Sequence, residues 1–272
     1  MSIKSRLRNA IPEPIKHQLA RLKRKGQQEF FQGRFFERDL MIFDADQLSK
    51  GWYGKEWSTK NRSEFSALSE IGLPSDALIF DIGAHQGVVS MLLKEIIAPK
   101  GQVIALEMDR KNVRAAKLNI WKNEIPDISI RHQAISDRKG FTRHTGRSNS
   151  NIAPKSALNA LLPKVQTTSI DEMCRIYGTP HLIYLDVEGA EILALKGAKK
   201  VLSFRPVWFI ELHGDDACAQ FGGRNADVIT TLHDYAYHIR FASSEASEFR
   251  EIDETHDYSS RGFLLATPHP KS

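Results

Sequence analysis

Cysteine is nearly absent from this chain. Only Cys174 and Cys218 occur in 272 residues, and they form no C-x-x-C pair. That excludes a disulfide framework and a zinc knuckle, and it suits a reducing compartment. No run of eighteen apolar residues is present, so a membrane-spanning helix is not expected. The N-terminus has no apolar stretch long enough for a signal peptide, and a cytoplasmic location is expected. Neither G-x-S-x-G nor G-x-x-x-x-G-K-[ST] occurs; Ser90 stands in no nucleophile elbow, and nothing points to ATP hydrolysis. Basic charge is missing from most of the chain. The net charge is +5, but Met1 to Lys25 holds eight Lys/Arg and one Glu, or +7, so the remainder carries −2. A nucleic-acid binder usually spreads basic charge over its folded face, so no nucleic-acid partner is expected.

What is present reads as a soluble globular protein, 41% hydrophobic and 26% charged. Residues 1–60 are expected to form a basic helical extension and lid segment, and residues 61–270 the main domain. Pro12 and Pro14 break any earlier helix, and Ile15 to Phe31 has a helical apolar spacing with Lys and Arg between. Such a segment packs on the body or touches anionic lipid at the inner membrane face. The aromatic stretch from Phe35 to Lys60, with its "GWYGKEW", is irregular and reads as a lid or pocket edge. Glu64 to Leu73 is expected to be helical.

From Ala77 the chain alternates. Strands are expected over Ala77 to Ile82, Gln102 to Glu107, within "ISIRHQAIS", in "HLIYLDV" and in "PVWFIELH". Helices are expected over Gly87 to Ile97, Arg110 to Asn123, "GAEILALKGAKKVL" and Asn225 to Ala236. "YHIRFAS" and "GFLLAT" read as a final antiparallel pair. This rhythm predicts an α/β fold, a doubly wound Rossmann-like sheet. An insertion over Gly140 to Pro163, with "HTGRSNSN", is expected to cover the carboxyl ends of the strands, where such folds bind ligands.

The stretch "LIFDIGAHQGVVSMLL" passes from strand to helix through Gly83 and Gly87. Gly83 admits positive φ and close approach of a ligand; Gly87 lets the helix start near the strand. Exposed N–H groups at such a turn meet an anionic group, which makes strand, glycine turn and helix a nucleotide-binding device. The spacing Gly83-x-x-x-Gly87 lacks the middle glycine of G-x-G-x-x-G, which favours a nucleotide ligand without a pyrophosphate. Glu107 ends the second strand, where an acid can accept both ribose hydroxyls.

At these residues the sequence resembles a known family. "DIGAHQG" and "VIALEMD" are similar to the first two motifs of class I S-adenosylmethionine-dependent methyltransferases. "TTSIDEM", "LIYLDVEGAEILALKGA" and "PVWFIELHG" resemble, in order and spacing, the FkbM family of methyltransferases, over about Glu64 to Pro268. His85 stands where that family often has Asn. The resemblance implies a seven-stranded sheet in the order 3-2-1-4-5-7-6 with the last strand antiparallel, and S-adenosylmethionine as cofactor. It implies methylation of a hydroxyl on a saccharide, glycan or similar small metabolite. Carried onto this chain, Asp81, Gly83, Ala84 and Gly87 would surround the methionine part. Glu107 would take the ribose and Met108 the adenine, with Ser136 and Asp137 at the adenine edge. Asp186 would close the pocket near the sulfonium.

Acids and a histidine fall at two adjacent strand ends: Asp186 and Glu188, then Glu211 and His213. In a parallel sheet such ends share one crevice. A hydroxyl needs a base before it attacks, and Glu188, Glu211 and His213 are the catalytic candidates. Glu191, one helical turn on, is open to pairing with Lys196 or Lys199 instead. The donor types would suit a divalent metal, but their spacing is not diagnostic and no metal is assigned. Cys174 is expected in the core. The rival readings are a non-catalytic nucleotide-binding module and an NAD-dependent dehydrogenase; the latter would need a pyrophosphate loop that is not in the sequence.

Overall fold

In the computed structural model, residues 29–145, 152–153, 161–252 and 257–269 are described. The expected helix from Ile15 lies mostly outside them, but its last residues, Phe30 and Phe31, are strand. The first element is a hairpin, β1 (Phe30–Phe35) and β2 (Arg38–Phe43), paired in register from Phe30 opposite Phe43 to Phe35 opposite Arg38. Its two turn residues, Phe36 and Glu37, both have positive φ (47° and 67°), the sign pattern that matches a tight turn to strand twist. A region read as irregular is therefore partly sheet. Phe35 and Ile42 are fully buried and pack with Trp57, Phe65 and Leu68 against the body. Helix α1 (Gln47–Tyr53) follows, started by a capping box between Asp46 and Ser49. Helix α2 (Ser63–Ile71) ends at Gly72 with a left-handed cap.

The alternating part then runs β3 (Leu78–Ile82), α3 (Val88–Leu92) with a π turn over Leu93–Ile97, β4 (Gln102–Glu107), α4 (Arg110–Lys122) and β5 (Ile128–His132). Three short strands, β6 (Ala134–Ile135), β7 (Gly140–Arg143) and β8 (Lys164–Thr168), form a separate small sheet in the order β6-β8-β7. After α5 (Ile170–Tyr177) come β9 (Leu182–Leu185), α6 (Glu191–Lys196), α7 (Lys199–Phe204) and β10 (Val207–His213). The stretch expected as one helix is two, separated at Gly197 and Ala198. The chain continues with α8 (Asp215–Ala219), α9 (Asn225–Asp234), β11 (Tyr237–Ala242), β12 (Arg250–Glu251) and β13 (Arg261–Pro268).

The main sheet has the order β12-β11-β13-β10-β9-β3-β4-β5. It has eight strands where seven were expected, because the two-residue β12 pairs with the outer edge of β11. β13 is antiparallel to both β10 and β11, whereas β10, β9, β3, β4 and β5 are mutually parallel neighbours. Strand residues alternate between two cores. Ile79, Val103, Leu182, Tyr184 and Phe209 face the hairpin, α2 and α3; Phe80, Ile104, Ile183, Trp208 and Ile210 face α5, α7 and α9. Burial on both faces explains why these strands read as continuous apolar runs. After β3 the chain builds outward through β4 and β5, then returns to β9 on the other side of β3. The carboxyl ends of β3 and β9 thus flank a topological switch point, where a crevice opens.

Candidate active site

The crevice is a cavity of about 660 Å³. One wall is the turn after β3. Asp81 is buried and accepts a hydrogen bond from the Ser90 hydroxyl. Burial pushes its pKa up to about 7, opposed by the Ser90 bond. Gly83 has φ of 98°, and a Cβ there would collide with the Asp186 carbonyl oxygen. The amides of Gly83 and Ala84 donate to the Leu106 carbonyl at 3.0 and 2.9 Å, tying the turn to β4. Gly87 does not line the cavity. It starts α3 in a left-handed conformation, and a Cβ would stand 3.0 Å from that of Ala116, so it lets α3 pack on α4.

Glu107, at the end of β4, accepts from the His85 amide at 2.8 Å and from the Asp109 amide at 2.6 Å. Burial pushes its pKa up to about 8 against those bonds. Met108 lines the cavity beside it, as do Gln133, Ala134 and Ile135. Ser136 and Asp137 do not. The Ser136 amide donates to the Thr168 carbonyl at 2.9 Å, joining the small sheet, and the Ser136 hydroxyl donates to Asp137 at 3.1 Å.

The "GWYGKEW" stretch closes the opposite side: Trp52, Tyr53, Lys55 and Trp57 line the cavity. The Tyr53 hydroxyl and His85 Nδ1 are 2.7 Å apart, and the Trp52 ring lies 5.2 Å from the His85 ring. Helix α1 is so joined to the glycine turn. Of the expected insertion, residues 146–151 and 154–160 lie outside the described residues, while Ile152 lines the cavity.

The third wall is formed by the ends of β9 and β10, which run side by side with Leu185 opposite Ile210. Asp186, Glu188, Glu211 and His213 all line the cavity. Glu188 and Gly189 both have positive φ (54° and 98°), which bends the chain so that Glu188 comes back to the crevice. His213 Nδ1 lies 2.8 Å from Glu191. Glu191 is thus no surface partner of Lys196 or Lys199; it is fully buried under the histidine. His213 Nε2 stands 3.3 Å from Asp186, 3.4 Å from Glu211 and 3.6 Å from Glu188. Burial alone would lower the histidine pKa, but Asp186 and Glu191 outweigh it and push it up to about 11. Glu211 is raised by burial and by Asp186, against the pull of His213 and of Arg261, whose Nε donates to it at 2.6 Å. Arg261 arrives from β13 and also pairs with Glu245 at 3.1 Å. Neither Arg261 nor Glu191 carries a sequence signal, because their partners are 50 and 22 residues away.

Residues 81–239, from the aspartate of the glycine turn into β11, match the methyltransferase FkbM domain. The chain belongs to that family. Solved structures with a similar fold include methyltransferase FkbM of Methylobacillus flagellatus, at 16% identity and TM-score 0.46, covering 70% of this chain and 44% of that one. This chain therefore spans less than half of that protein's length. A SAM-dependent methyltransferase of Aquifex aeolicus aligns at 13% identity and TM-score 0.43, over 82% of this chain and 94% of that one. Precorrin-6y C5,15-methyltransferase of Geobacter metallireducens aligns at 15% identity and TM-score 0.45, over 75% and 86%. Among curated proteins none matches. The FkbM family assignment covers all the walls of the cavity built on β3, β4, β9 and β10.

Proposed function

We propose that this FkbM-family chain is an S-adenosylmethionine-dependent O-methyltransferase acting on a hydroxyl of a saccharide or similar small metabolite. One observation carries the reading: a single cavity joins the glycine turn and Glu107 to the acids and histidine of β9 and β10. Its volume lies within the roughly 300–1,000 Å³ of small-molecule sites. The cofactor fits the residues present. Gly83 and Ala84 present the turn after β3 to the cavity, and the Glu107 carboxyl keeps lone pairs beyond its amide bonds for ribose hydroxyls. Met108 supplies an apolar surface for a base, and Asp81, Ala84 and Asp186 bound the remaining end.

When bound, the cofactor supplies a methyl group on a sulfonium, already activated for transfer. The chain's own task is to align the acceptor hydroxyl, exclude water and take one proton. Alignment of this kind contributes about 7–11 kcal/mol to such reactions. Trp52, 40% exposed, offers a flat apolar face at the mouth, and Tyr53 and Trp57 shield the interior from water. Glu188 is the group assigned to take the hydroxyl proton. Its side chain is 24% exposed, so it can meet an acceptor that the deeper Glu211, at 11%, reaches less readily. Calorimetry with S-adenosylmethionine, S-adenosylhomocysteine and NAD tests the cofactor: the first two are expected to bind and NAD is not. Glu188→Gln is expected to keep cofactor affinity and to lower the saturated rate by about 10²–10⁴-fold. Wild-type turnover in that variant would move the proton to another group. A chain that binds cofactor but methylates no hydroxylated acceptor is a binding module.

A further inference from the structure

The ends of β9 and β10 hold a constellation that proton transfer alone does not use. His213 is nine-tenths buried, and Glu191 fixes its Nδ1. Glu191 itself is held by the Gly189 amide at 3.1 Å. The ring is thereby oriented, with Nε2 aimed into the cavity. Among the described residues, its polar partners there are carboxylates alone: Asp186 at 3.3 Å, Glu211 at 3.4 Å and Glu188 at 3.6 Å. A charge-assisted N–H···O bond is about 2.7–2.9 Å long, so each of these three contacts is longer than one at its best. The near-equal distances match a different arrangement. Two donors held about 2.0–2.2 Å from a tetrahedral ion stand roughly 3.3–3.6 Å apart. Donor atoms of Asp186, Glu211 and His213 all lie within 4.8 Å of one another.

We infer that Asp186, Glu211 and His213 bind a divalent transition-metal ion, with Glu191 as the positioning residue that orients His213. A carboxylate behind a ligating histidine is the usual support of such sites. One imidazole with two carboxylates suits an ion that accepts both nitrogen and oxygen, such as Mn²⁺ or Zn²⁺. Charge points the same way, because Asp186, Glu188, Glu191 and Glu211 gather around one histidine, with Arg261 paired only to Glu211 among them. Arg261 engages Glu211 through Oε1, the same oxygen that stands 3.4 Å from His213 Nε2, so the ion and Arg261 would share that carboxylate. The ion would hold the acceptor oxygen beside Glu188 and make its proton more acidic. That use rests on the methyltransferase reading above; binding of the ion does not.

The test uses the chelator-stripped full chain without cofactor or acceptor. Mn²⁺ is titrated and followed by the loss of the free-ion paramagnetic resonance signal, with Zn²⁺ as competitor. Saturable binding of a single ion that Zn²⁺ displaces is expected, with a nitrogen coupling from one imidazole in the bound spectrum. His213→Gln should abolish that coupling, and Glu191→Gln should weaken binding about 10–100-fold. The coupling is read on the wild-type protein, so a variant that fails to fold leaves the question decidable. No saturable binding at millimolar ion, no nitrogen coupling, or an unchanged spectrum in a folded His213→Gln chain would each overturn the site. Metal binding without methyl transfer would leave this site standing and remove the function proposed for it.

Discussion

Single residues at strand ends carry most of the chemistry, and Glu107 gives the sharpest test. Its carboxyl is raised from 4.5 to about 8 by burial. In the folded chain it holds its proton up to about pH 8, whereas the unfolded chain releases it near 4.5. The folded state binds more protons in that window, so this group's share of stability falls as pH rises from 4.5 through 8. Thermal unfolding of the cofactor-free protein should show that decline, and Glu107→Gln should have a shallower one. Identical slopes would mean that Glu107 is already ionised. Glu107→Ala should also weaken cofactor binding, since an ordinary hydrogen bond contributes about 0.5–1.5 kcal/mol. Asp81, Glu107 and Asp186 were legible in the sequence because each ends an apolar run where an idle acid would be costly. Ser136 and Asp137 stand beyond the cavity lining, next to the pairing of β6 with β8, and a two-residue strand leaves no periodicity to read. Glu191 was ambiguous for another reason. On a helix it looks like any acid near lysines, and only the fold brings His213 to it.

At the scale of elements, the alternating strands and helices were readable because burial on both faces of the sheet leaves uninterrupted apolar runs. The N-terminal hairpin was not. Its turn is Phe36-Glu37, with none of the Asn-Gly or Asp-Gly chemistry that announces such a turn, yet both residues take positive φ. The edge of β2 is then satisfied by side chains of α4 and of the residue that caps it. Asn123 exchanges bonds with the Met41 backbone at 2.8 Å each, and Asn119 accepts from the Phe43 amide at 2.6 Å. Long-range amide clamps of this kind have no sequence spacing. The two positive-φ sites should respond in opposite senses. Glu37 is exposed, and Glu37→Gly relieves a left-handed conformation that costs an ordinary residue about 1–2 kcal/mol, offset in part by glycine's freedom in the unfolded chain. A modest rise in melting temperature with unchanged cofactor affinity is expected. Gly83→Ala meets both the left-handed cost and the Asp186 carbonyl, so it should lower stability and cofactor affinity together. If Gly83→Ala binds cofactor like wild type, the turn after β3 does not cradle it.

For the whole molecule the decisive feature is how unevenly charge is distributed. The segment Met1 to Lys25 carries +7 and the rest −2, so the basic character belongs to the first 25 residues. Every described residue that lines the cavity lies at or beyond Gly51, and no helix among the described residues is long and apolar enough to cross a membrane. Near an anionic surface each Lys or Arg contributes about 1 kcal/mol of attraction, whereas a body of net −2 is repelled. Deleting residues 1–25 should therefore leave S-adenosylmethionine affinity unchanged while abolishing sedimentation with phosphatidylserine-containing vesicles. Deleting residues 1–60 should destroy cofactor binding, because Phe35, Ile42 and Trp57 leave the core and Trp52 and Tyr53 leave the cavity wall. Vesicle binding of the full chain should weaken steeply between low salt and 0.1 M and beyond, since the screening length there is only about 10 Å. Sedimentation that persists in both the shorter deletion and high salt would assign any lipid contact to the body, and the basic arm would need another partner.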